Sequence, residues 1–184
     1  VEKRDWIFED LGYSWRMASP TITWAEVCAL PWLQDIPAKI ETNKQNKILM
    51  SPASSWHSRF ESQIGFLLRQ NLPDGVVFNE CPIETEDGTR VADAAWMSKE
   101  RFGPHRRAIS LPIAPEICVE VLSPSNTREE MLQKRLLYYA AGAEEVWLCD
   151  ENGNMEFFAR GQSEPVVKSR LCPDFPLCIE DPEV

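Results

Sequence analysis

No two of the six cysteines (Cys28, Cys81, Cys118, Cys149, Cys172 and Cys178) are spaced CxxC. That spacing argues against a zinc site. Cys118 and Cys149 lie in apolar runs, where a free cysteine packs as a small hydrophobe. All six therefore read as reduced, and a cytoplasmic compartment follows. No apolar run approaches the ~18 residues of a membrane helix. The opening VEKRDWIFED contains no signal-peptide core. Positive charge is also scarce. The net charge is −10, so a wholesale basic groove for nucleic acid is not written into the composition. Metal sites are themselves acidic, however, and local basic loops can steer a polyanion. No repeat, low-complexity block or long linker divides the 184 residues.

What is present reads as an arm over residues 1–20 followed by one domain over 21–184. TWAEVCALPWL (23–33) predicts a short helix, with Thr23 and Glu26 at capping-box spacing. KIETNKQNKILMSP (39–52) predicts a hairpin around a polar tip. Over 54–72, Trp56, Phe60, Ile64, Leu67 and Leu68 recur at helical spacing, with His57 and Glu61 on the shoulder of that face. Residues 75–98 read as strands around an Asp-Gly turn at 87–88, the last running from Arg90 to Met97. APEICVEVLSP (114–124) is a further strand. A helix over 126–141 starts at Asn126/Glu129 or Thr127/Glu130 and stops at Gly142. EEVWLCD and MEFFAR form a hairpin, and a strand or two closes the chain. The pattern is mixed α/β around a central sheet.

Two strand carboxylates stand out. Glu120 sits among Ile117, Val119 and Val121, and Asp93 sits within RVADAAW. A buried unpaired carboxylate costs several kcal/mol, roughly, even after relaxation. Each must reach water, find a partner or hold a cation. If their strands are neighbours, the two acids converge, and a divalent metal or a shared proton would relieve their repulsion. On the following helix, Met131, Leu132, Leu136 and Tyr139 mark one apolar face. Lys134, Leu137, Tyr138 and Ala141 mark a second, so Lys134 either points at the same site or snorkels to water. Lys99, Arg101, Arg106 and Arg107, with His105, make the loop after Met97 basic, and Arg128 and Arg135 lie on the next helix. These are a DNA-contacting set or a solvated surface.

A strand Asp, the segment VEVLSPS, a helix carrying K-x-x-x-Y and the segment GAEEVWLCD together resemble the Uma-type restriction-endonuclease family, once catalogued as a domain of unknown function. The family falls within the PD-(D/E)XK nuclease superfamily, and the resemblance runs from about Thr23 to about Glu180. ILMSPASSWH and PDFPLCIE resemble its flanking blocks. The resemblance implies a restriction-endonuclease-like fold, with a central mixed β-sheet flanked by helices. It implies an Mg²⁺- or Mn²⁺-dependent endodeoxyribonuclease in which Asp93 and Glu120 bind metal and Lys134 serves as the motif lysine. His57 and Tyr138 become accessory residues and Glu61 an added metal ligand. Ala92 stands in place of the motif proline and Leu122 in place of its usual lysine. DNA is the implied partner, and a homodimer would let each copy cut one strand. Two other readings remain. One is a nuclease fold that binds DNA or protein without cutting. The other is a glycoside hydrolase using the two acids about 5–9.5 Å apart, although Trp96 and Trp147 read as core rather than as a sugar platform.

Overall fold

A computed structural model describes residues 22–33, 36–45, 47–52, 54–123 and 126–180; the arm expected over 1–20 lies outside the described residues. Helix α1 (Trp24–Cys28) carries the expected Thr23/Glu26 capping box. It is shorter than the periodicity predicts. Pro31 cannot donate a helical hydrogen bond, and the chain continues as a 3-10 turn over Pro31–Leu33. β1 (Ala38–Thr42) and β2 (Ile48–Pro52) form the expected antiparallel hairpin. α2 (Ser55–Asn71) follows, capped by Ser54.

β3 (Gly75–Thr85) and β4 (Gly88–Ser98) pair along their length except at Glu80 and Asp93. β4 leads into the short α3 (Lys99–Phe102). β5 (Ile117–Val121), α4 (Arg128–Ala140), β6 (Glu145–Cys149) and β7 (Met155–Ala159) complete the order. The sheet runs β3-β4-β5-β6-β7. Only β5 and β6 are parallel, because α4 provides the crossover that parallel neighbours require. The terminal strands expected after β7 are single bridges instead, Phe157 to Val166 and Asn154 to Cys178. Prolines at 165, 173 and 176 remove the ladder donors that a strand would need.

The sheet is covered on both faces. Phe60, Ile64 and Leu68 of α2 pack on Ile117, Val119, Val121 and Trp147. Tyr138 and Tyr139 of α4 pack with Cys118 and Val146 on the opposite face. β5 is therefore buried at every position, which is why all of its residues except Glu120 are apolar. The capping box of α4 is Thr127 with Glu130 rather than Asn126 with Glu129. The helix buries Met131, Lys134, Arg135, Tyr138 and Tyr139, whereas Leu136, expected on the apolar face, is exposed. Each cysteine is a free thiol. Among the described residues no helix is long and apolar enough to cross a membrane.

Candidate active site

The β4–β5 ladder consists of Ala94–Val119, Ala95–Cys118 and Trp96–Ile117. Asp93 and Glu120 are the next residues beyond its last rung. There the Asp93 carboxylate takes up a backbone donor of β5: the Val121 N–H donates to Asp93 Oδ2 at 2.7 Å. Asp93 and Glu120 are 1% and 2% exposed, so each must be satisfied inside the protein.

The partners come from both helices and from the β1–β2 hairpin. On the α4 side, Tyr138 Oη donates to Glu120 Oε1 at 2.6 Å. Lys134 Nζ lies 2.9 Å from Glu120 Oε1 and donates to the Val91 carbonyl at 3.3 Å. On the α2 side, His57 Nε2 is 3.3 Å from Asp93 Oδ2 and 3.1 Å from the Val121 carbonyl. The hairpin brings two residues that the sequence reading missed. Lys39 Nζ bridges Asp93 Oδ1 at 2.5 Å and Glu120 Oε2 at 3.1 Å. Glu41 Oε1 accepts the Val91 N–H and Lys134, each at 2.7 Å.

The hairpin is held where β4 has β3 on one flank but no β5 on the other. Thr42 Oγ1 accepts the Thr89 N–H at 2.9 Å, and Asp87 Oδ1 accepts the Lys44 N–H at 3.1 Å. Lys39 and Glu41 stand two apart on one strand and therefore share a face. That pair of opposite charges on one face of a short strand was the available signal.

Glu80 was missed as well. Asn79 pairs with Ala94 and Cys81 with Ala92, so Glu80 falls opposite Asp93. Its φ is +52°, the sole positive φ at a non-glycine among the described residues. Such backbone costs about 1–3 kcal/mol and gathers at functional sites.

Charge is distributed unevenly. Burial opposes the Lys39 ammonium, but Asp93, Glu120 and Glu41 outweigh it and raise its pKa well above the usual lysine value. Asp93 is held far below the carboxylate range, because Lys39 and His57 overcome the burial penalty. Burial pushes Glu120 upward against the pull of Lys134 and Lys39. Burial first, then the charges of Asp93 and Glu80, lift Glu61 to about 7. Burial raises Tyr138 well above 10, with the Glu120 charge adding to it, so its hydroxyl remains a donor.

The structure thus brings together Asp93, Glu120, Lys134, Tyr138 and His57, with Glu61 near enough to feel the Asp93 charge. Among the described residues no group of three or more His, Cys, Asp or Glu side chains is placed to hold a metal by itself. The donor chemistry of Asp93 and Glu120 nevertheless fits a divalent ion. Their hard oxygens already converge on one cation, Lys39 Nζ, and Mg²⁺ takes only one or two carboxylates and keeps several waters.

The basic residues are elsewhere. Arg101 donates to the Ala114 and Gly142 carbonyls and pairs with Glu116 and Glu144. Arg128 grips Glu156 with both nitrogens, at 2.7 and 2.9 Å. Arg135 stacks on Phe158 and is buried. These three guanidinium groups, expected to contact DNA, are engaged by the protein itself. Lys99 meets Asp74, and Arg106 and Arg107 are exposed. Leu122 turns into a cluster with Met131, Leu148 and Phe158.

Residues 24–174 match the model of the Uma2 family, described as "Putative restriction endonuclease". This chain belongs to the Uma2 family. The family makes the fold restriction-endonuclease-like and the function nuclease-like, and such proteins generally use divalent metal ions. A crystal structure titled as a "putative nuclease belonging to DUF820" from Anabaena variabilis is similar in fold. It has a TM-score of 0.64 and 22% identity, over 77% of this chain and 82% of that one. No curated protein matches.

Proposed function

We propose that this Uma2 protein is a divalent-metal-dependent endonuclease that hydrolyses phosphodiester bonds of DNA. The observation that carries the proposal is the convergence of Asp93 Oδ1 and Glu120 Oε2 on one cation, with a second buried ammonium, Lys134, against Glu120. An Mg²⁺ or Mn²⁺ ion would be held by Asp93 and Glu120 and would supply water activation and charge neutralisation at the phosphate. Lys134 is held by Glu41, Glu120 and the Val91 carbonyl. A fixed ammonium there stabilises negative charge that grows on phosphate oxygens. Tyr138 and His57 keep the two carboxylates in place. Glu61 joins as a ligand only in its ionised form.

Lys99 and the exposed Arg106 and Arg107 lie beyond the end of β4 that is five residues from Asp93, roughly 17 Å along the strand. They would meet backbone phosphates remote from the scissile one, which position a duplex without reading its sequence.

The test is nicking of supercoiled plasmid with Mg²⁺ or Mn²⁺, alongside calorimetric metal titration. Wild type should bind metal and nick, and Asp93→Asn and Glu120→Gln should abolish both. Metal binding without nicking would leave a nuclease fold that binds DNA or protein without cutting. The position of Leu122, immediately after β5, favours that second reading, since no lysine projects from the motif's usual place two residues after Glu120.

A further inference from the structure

Lys39 is the ligand that both strand carboxylates share. Its ammonium touches Asp93 Oδ1 and Glu120 Oε2, whereas Lys134 touches Glu120 and Glu41 but not Asp93. A divalent ion taking the same two oxygens at about 2.0–2.1 Å would lie against Lys39 Nζ. Two cations at that separation inside a buried site repel strongly. We propose that Lys39 is a tethered competitor for the metal position, so that metal entry and withdrawal of Lys39 are a single event. The inference rests on the metal reading above.

The geometry supports a competitor rather than a permanent strut. Lys39 comes from a two-stranded hairpin outside the main sheet, and its side chain is 12% exposed at the edge of the site. An acceptor for the displaced ammonium is close by. Glu80 falls opposite Asp93 in the β3–β4 register, is exposed to solvent and feels the Lys39 charge. Lys39 therefore neutralises two buried carboxylates when metal is scarce and keeps them assembled. The consequence is a weaker apparent metal affinity, since a tethered group competes at a local concentration of roughly millimolar or more.

Mn²⁺ calorimetry on EDTA-stripped protein distinguishes the possibilities. Lys39→Met should bind at least about tenfold more tightly than wild type. It should also melt at a lower temperature in EDTA and regain more stability on adding Mn²⁺. Lys134→Met removes the same charge nearby without freeing Asp93, and should gain clearly less. Lys39→Gln, which retains a donor for Asp93, should move in the same direction as Met and serves if the Met variant does not fold. Unchanged or weaker binding in both Lys39 variants would overturn the inference while leaving the metal reading intact. An equal gain in Lys134→Met would reduce the effect to general charge and overturn it too. If neither wild type nor the Lys39 variants bind Mn²⁺, the inference and the metal reading fall together.

Discussion

Lys134 Nζ stands 2.7 Å from Glu41 and 2.9 Å from Glu120, so one buried ammonium joins a hairpin carboxylate to a carboxylate of the central sheet. Glu41 also accepts the Val91 N–H. Glu41→Gln keeps an acceptor for that N–H but removes the counter-charge. It should cost about 1–3 kcal/mol in urea unfolding. Nicking should fall roughly 10–100-fold, as the ammonium loses its fixed position. Nicking at the wild-type rate would remove Glu41 from the site's working parts.

Tyr138→Phe deletes the hydroxyl that donates to Glu120 at 2.6 Å. Tyr138 is fully buried and the ring remains, so the cavity is small. The lost charge-assisted bond should cost about 1.5–3 kcal/mol. The loss should shrink in saturating Mn²⁺, where a cation takes over the support of Glu120. Denaturant midpoints in EDTA and in Mn²⁺ test this, and equal losses in both would contradict it.

Gly88→Ala tests how the hairpin is anchored. Gly88 has φ +85°, and a Cβ there would lie 2.6 Å from the Thr42 carbonyl oxygen. Left-handed backbone and backbone contact together should destabilise by more than about 1 kcal/mol. Amide exchange over residues 38–52 should accelerate more than exchange in β5. Metal affinity should rise, because Lys39 is carried by that hairpin.

Glu61 sets a pH dependence. Its folded pKa is raised from 4.5 to about 7, so between those values the native state holds a proton that the unfolded chain has released. Stability from this group is present at acid pH and is lost as pH rises through about 7. Glu61→Gln in chelator should flatten the fall in stability from pH 5 to 7.5 by up to about one proton equivalent. An unaltered slope would mean that Glu61 ionises normally.

Much of this was legible in the sequence. Periodicity located α2 and α4, and the Asp-Gly pair marked the β3–β4 turn. Charges inside apolar strands singled out Asp93 and Glu120, because burying an acid needs a reason that local pattern cannot supply. Helical spacing put Lys134 and Tyr138 on one face. Register and long-range docking were not legible. That Asp93 follows the last rung between β4 and β5, that Glu80 stands opposite it, and that Lys39 and Glu41 enter from a separate hairpin are all consequences of pairings across many residues. The basic residues show the same division. Arg101, Arg128 and Arg135 look like a ligand-facing set in one dimension, and only the packed chain directs them to carbonyls, to Glu156 and to Phe158. Sequence alone determined which side chains would be costly to bury. The tertiary structure decided which opposite charges came within hydrogen-bond distance to make that burial stable, because electrostatic pairing depends on separation in space and not along the chain.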